Sequence, residues 1–381
     1  MGMSFRIACL LLPPRSMPCD PKRDHDCPIP HMVKDAATVT VGSGPPAPRK
    51  IRARTARAPM PPHFAPLAGT NRGSVPAAPV PHKAPPIKIP KRATVGEAFV
   101  LIGRSGLAHL HTNEPCVRTR RDSEGIHQLR VSVRRLRSAL SLFRATIPDR
   151  ERRDTARRLK WIAGQCAEAR EWDVFQDELV VPLQRSLPDD RVFGDFASEV
   201  EKIRLAADAR VADMLAGTQY ARNILKIETW WIGGGRRGPE NNQAAAKAVD
   251  FSQRRIRKLH RRLCKHGGRA SELDAKGLHR LRIRTKKLRY AIDFFGSLFP
   301  GKTAGAYRTA LTEIQDILGA LNDIAVARPL LAAAKKRAPE LSPAVFAHAA
   351  DVIAEWNAAK RDAGLERLPN SLQRLANLRP F

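Results

Sequence analysis

His127-Gln-Leu-Arg-Val-Ser-Val-Arg-Arg-Leu-Arg137 is written twice in this chain, and His279-Arg-Leu-Arg-Ile-Arg-Thr-Lys-Lys-Leu-Arg289 is the second copy, 152 residues on. On a helix at about 100° per residue, His127, Arg130, Arg134 and Arg137 share one face, and Leu129, Val133, Leu136, Leu140 and Phe143 share another. His279, Arg282, Lys286 and Arg289 take the same angles in the second copy, with Leu281, Leu288, Ile292 and Phe295 as its apolar seam. Each cationic row is about 15 Å long, at roughly 1.5 Å per residue. Like charges at this spacing repel one another, so the pattern calls for a long polyanion.

The correspondence runs past the motif. At the same offset Pro148 meets Pro300, Leu159 meets Leu311, Ile162 meets Ile314 and Val174 meets Val326, while Arg170-Glu-Trp-Asp173 stands opposite Asn322-Asp-Ile-Ala325. An offset held without gaps for about fifty residues indicates one duplicated supersecondary unit. The 3.6-residue period predicts helices over 95–111, 124–145, 150–178, 191–217, 219–231, 247–266, 278–298, 304–334 and 343–361, with a short last one near Ser371. No segment alternates as a strand does. The expected fold is all-α: two antiparallel helical bundles related by pseudo-twofold symmetry, their basic rows lining one cleft. Repeat one covers 93–232, a turn-rich linker 233–243, and repeat two 244–381.

Composition agrees. A net charge of +30 and a pI near 10.9 point to nucleic acid, an anionic surface or another polyanion. Aromatics at 6% argue against base stacking as the main mode. Residues 1–92 hold 19 of the 30 prolines, a basic tail expected to be disordered. Six cysteines scattered without a framework, and no uninterrupted run of eighteen apolar residues, give the expectation of a cytoplasmic protein without a membrane span.

His127-x-x-Arg-Val-x-x-Arg-Arg-Leu-Arg137 with Arg170-Glu-Trp-Asp-Val174, and His279-x-x-Arg-Ile-x-x-Lys-Lys-Leu-Arg-Tyr290 with Leu318-Gly-Ala-Leu-Asn-Asp323, resemble the CHAD family, the conserved histidine α-helical domain. The resemblance covers about 93–375. It implies two four-helix-type bundles, inorganic polyphosphate held in a basic central cavity, binding without catalysis, and association with polyphosphate granules in several members. One departure is Glu171, where the family usually has aspartate. Many relatives carry a triphosphate-tunnel domain first; its Glu-x-Glu-x-Lys signature is missing here, so a stand-alone member is expected.

Polyphosphate has no bases and is recognised through charge and hydrogen-bond donors alone. Arginine offers a charged fork of donors, and lysine a point charge. Arg130, Arg134, Arg137, Arg282, Lys286 and Arg289 are therefore the expected contacts, with Arg135 and Lys287 at the edge of the face. The resemblance adds Lys160 and Arg170, which match family motif positions on the next helix. His127 and His279 are expected to be protonated beside the polyanion, so that affinity rises as pH falls through the histidine range. No cofactor or metal site is expected. Nucleic acid, bound non-specifically, is the competing partner. A phosphate-transferring or polyphosphate-hydrolysing enzyme is the third reading, but no metal-binding carboxylate cluster can be assembled for it. Gly296-Ser-Leu-Phe-Pro-Gly-Lys-Thr303 spells a P-loop, yet a helix precedes it where the mechanism needs a strand, so Gly296 is read as a helix cap.

Overall fold

A computed structural model describes residues 79–119, 123–233 and 242–381. The expected disordered tail falls mostly in 1–78, and most of the linker in 234–241, outside the described residues. The helices are α1 (Val95–Arg118), α2 (Ser123–Leu142), α3 (Asp149–Gln165), α4 (Ala167–Phe175), α5 (Val181–Ser186), α6 (Arg191–Ala216), α7 (Thr218–Ile232), α8 (Asn242–Ala245), α9 (Ala248–Gly267), α10 (Ala275–Phe295), α11 (Gly301–Arg337) and α12 (Pro343–Ala376). No strand occurs among the described residues, so the all-α expectation holds.

Local signals account for the starts. Thr94 and Glu97 form a reciprocal capping box on α1, Asp190 accepts from the Phe193 amide on α6, and Asp274 accepts from the Gly277 amide on α10. Some boundaries differ from expectation. Helix α1 runs on through Pro115 to Arg118, and α12 runs through Pro369 as one helix. A proline removes one ladder bond, but burial of Cys116 and Val117, and of Leu372 and Leu375, outweighs that loss. The helix expected over 150–178 is instead α3, α4 and a π-helical turn, Gln176–Val180, leading into α5. Pro182 lacks the amide that would continue the regular ladder, and the π turn absorbs the mismatch. Its counterpart α11 spans the matching stretch unbroken.

Pseudo-twofold symmetry is visible in the contacts. The Val95 amide donates to the Ala246 carbonyl and the Ala248 amide to the Ala93 carbonyl, both at 2.9 Å, a reciprocal tie between the starts of α1 and α9. Phe99 meets Phe143 at 5.3 Å between ring centroids, and their counterparts Phe251 and Phe295 meet at 6.1 Å. Phe143 and Phe295 touch each other at 5.8 Å. These four rings join the halves into a single apolar core. Helix α11 is, by length and composition alone, long and apolar enough to cross a membrane. In this fold its Tyr307, Leu311, Ile314 and Leu318 are buried in that core.

The packed body also begins earlier than residue 93. Ile87 and Ile89 are buried, the Ile89 amide donates to Ser297 Oγ at 2.9 Å, and the His82 amide donates to Asn113 Oδ1 at 2.9 Å. Residues 82–92 form a strap that the proline content had assigned to the tail. On the far side of α1, Trp231 stacks on Phe99 at 4.8 Å and fills the space over Gly103, where an added Cβ would lie 1.6 Å from Trp231 Nε1. Gly103→Ala should lower stability in urea unfolding by about 1–3 kcal/mol. Gly305→Ala, on α11 with open space around it, should be neutral or raise it by about 0.5–1 kcal/mol.

Candidate anion-binding site

Helices α2 and α10 cross beside the pseudo-twofold axis, and the two basic rows meet there. Repeat one contributes His127, Arg130 and Arg134 from α2, with Arg170 and Glu171 from α4; repeat two contributes His279, Arg282 and Lys286 from α10, with Asn322 and Asp323 from α11. Each member has its partner at the 152-residue offset. The Arg134 guanidinium lies close enough to the Tyr290 hydroxyl on the opposite helix to act on it electrostatically.

Arg130, Arg134, Arg282 and Lys286 are all half-buried. Burial lowers the Lys286 ammonium to about 7, helped by repulsion from Arg134 and Arg282, with Arg130 adding to it and Asp323 opposing. Burial and then Arg134 lower Arg130; burial lowers Arg282 too, against the attraction of Asp323. Asp323 itself is raised by burial. Arg130 Nη1 donates to the Ala163 carbonyl at 3.3 Å, but Arg130 Nε is buried without a partner, and so is its counterpart Arg282 Nε. A buried unbonded donor costs roughly 1–3 kcal/mol, more when charged. The two donors form a symmetric pair across the 152-residue offset.

The two histidines sit in different surroundings. Burial, then Arg170, hold His127 down at about 4, so it is neutral near pH 7 in the ligand-free protein. His279 is exposed, with Nδ1 3.3 Å from Asn322 Oδ1. Asn322 stands where Arg170 stands in repeat one.

Other expected residues fall elsewhere. Arg135 is buried, its guanidinium carbon 5.3 Å from the Phe294 ring centroid and within the attraction of Asp293; it clamps the two halves together. Its counterpart Lys287 is exposed in a different groove. Arg289 donates to Thr312 Oγ1 at 2.7 Å and lies 3.7 Å from Asp293, so its own repeat engages it. Arg137 and Lys160 are exposed. Asp173 is fully buried and pairs with Arg204, which bridges it at 3.4 Å to Asp208 at 2.8 Å. Burial pushes Asp173 up to about 7 and Asp208 to about 6. Tyr290 and Asn322 were not singled out from sequence, although both sit inside the repeated motifs. The P-loop-like string forms a 3₁₀ turn, Gly296–Leu298, after α10, with Ser297 engaged by the strap.

Residues 102–332 match the CHAD domain family, and the chain belongs to it. The CHAD domain crystal structure from the plant Ricinus communis is 31% identical, with a TM-score of 0.69 over 79% of this chain and 98% of that one. PptA from Streptomyces chartreusis, 15% identical, shares the fold with a TM-score of 0.54 over 74% of this chain and 99% of that one. No similarity to a curated protein was found.

Crowded cations make the site a burden on the ligand-free fold. Between pH 7 and the ordinary lysine value of 10.5 the unfolded chain binds a proton at Lys286 that the folded chain does not. Stability from this group therefore rises with pH across that window. Lys286→Met should raise the thermal midpoint by a few degrees at pH 7, and calorimetry should show the gain shrinking toward pH 10.

Proposed function

We propose that this CHAD protein binds inorganic polyphosphate between α2 and α10 without altering it chemically. The observation that carries this reading is the symmetric pair of buried, unbonded Nε donors on Arg130 and Arg282, set among Arg134 and Lys286. A flexible chain of tetrahedral anions brings oxygen acceptors to every one of these groups and dispenses with bases and rings. The residues at the centre are suited to holding charge. Arginines stay protonated, and Asp323, raised by burial, sits against Arg282 and Lys286 as a partner. Family membership supports a polyanion ligand of this class. On the same reading the protein acts in the cytoplasm at polyphosphate granules.

Binding should be measured by calorimetry with long-chain polyphosphate, using duplex DNA as competitor. Arg130→Ala with Arg282→Ala should weaken polyphosphate binding by about a hundredfold to ten-thousandfold, since hydrogen bonds to charged groups are worth about 1.5–3 kcal/mol each. Equal affinity for DNA and polyphosphate in the wild type would replace this reading with the nucleic-acid one. Released orthophosphate in the presence of Mg²⁺ would make the protein an enzyme.

The pH dependence follows from Lys286. A bound polyanion raises its pKa above the ligand-free value of about 7, so binding takes up a proton and affinity falls as pH rises above 7. Lys286→Arg should flatten that fall between pH 7 and 9. An unchanged profile would place Lys286 outside the bound chain.

A further inference from the structure

A second basic groove lies where α9 passes the C-terminal half of α2. Its floor and walls include Ser141 and Arg144 from the α2 side, Arg255, Lys258 and Arg262 from α9, and Lys287 from α10. It runs on past Arg254 into an adjoining cavity of about 450 Å³. No Asp or Glu is among the described residues that line either part. Arg255 is held in place over the Phe251 ring, 5.2 Å from its centroid, and is lowered by burial and then by Arg144 and Arg254. Asp149 also stands near Arg144, but Arg152 and Arg153 already occupy it.

The duplication shows what this groove lacks. At the 152-residue offset Lys287 corresponds to Arg135, Ser141 to Asp293 and Leu142 to Phe294. Arg135 lies over Phe294 within the attraction of Asp293, a carboxylate shared with Arg289 and Arg308, so that position is closed and partly compensated from within the chain. On the α9 side the carboxylate is a serine, the aromatic lid is a leucine, and the cation is exposed. An outside anion fits the vacancy left by the missing carboxylate.

We infer that this groove is a second phosphate-binding site, taking the part of a long polyphosphate chain that leaves the central rows. The inference rests on the proposed central site. The path is continuous on one helix: Arg134 and Ser141 lie on the same side of α2, two turns or about 10 Å apart. A short phosphate chain occupies the centre alone, whereas a long one engages both.

Two variants test this, each titrated with inorganic tripolyphosphate, long-chain polyphosphate and duplex DNA at several salt concentrations. In one, the exposed cations are removed together: Lys258→Ala, Arg262→Ala and Lys287→Ala. In the other, Ser141→Asp supplies internally the carboxylate that Asp293 provides across the axis. Both should leave tripolyphosphate affinity unchanged and weaken long-chain binding by about tenfold, and the triple variant should lower the salt slope by about two, at roughly 0.7 per lost contact. Long-chain affinity and slope equal to wild type in both would overturn the groove, and so would a loss confined to duplex DNA. Arg130→Ala with Arg282→Ala separates the two claims: wild-type polyphosphate binding in that variant removes the central reading, while a loss there with none in the groove variants removes the groove alone.

Discussion

Four half-buried cations face one another across α2 and α10, and the rest of the structure holds them there against their repulsion. Within the site, Glu171 and Asp323 offset only part of the repulsion among Arg130, Arg134, Arg282 and Lys286. Burial and mutual repulsion depress Lys286 to about 7, against the attraction of Asp323. The restraint comes from the apolar side of the same two helices. Phe99, Phe143, Phe251 and Phe295 pack ring to ring across the axis, and the starts of α1 and α9 are tied by two backbone hydrogen bonds. A close-packed interior of this kind does not yield smoothly to electrostatic pressure. The crowding shows instead as unbonded donors and a shifted ammonium, which the proposed anion would relieve.

Duplication is the economical way to build such a site, because one amphipathic helix supplies both walls. The copies have nevertheless diverged where it matters. Repeat one adds Arg170 beside His127, while repeat two offers Asn322 beside His279. Repeat one breaks its long helix into α3 and α4, while repeat two runs α11 unbroken. The largest divergence is between Arg135, clamped over Phe294, and Lys287, exposed beside α9. One cation has become part of the core and the other part of the surface. The site is symmetric in its centre and asymmetric in its surroundings.

Much of this was legible beforehand, for identifiable reasons. The helices could be read because the apolar period is strong, and the site's centre because the same angles recur 152 residues apart. Prolines misled in both directions. Pro115 and Pro369 sit inside helices held by tertiary burial, and the proline-rich stretch before Ala93 contains Ile87 and Ile89, which are buried. Arg135 and Arg134 are neighbours of identical charge in sequence, and no local rule says which of them meets Phe294 and which meets Tyr290.

By itself, the order of residues determined the helical class, the twofold repeat and the central members of both basic rows, since each depends on periodicity along one chain; Arg137 and Arg289, at the row ends, fall outside the site. Only the tertiary structure decided that the rows oppose one another, that His127 is kept neutral at about 4, and that Lys286 becomes the proton-sensitive group. Those outcomes depend on desolvation and on charges brought close from distant parts of the chain. Neither quantity is written in any local stretch of sequence.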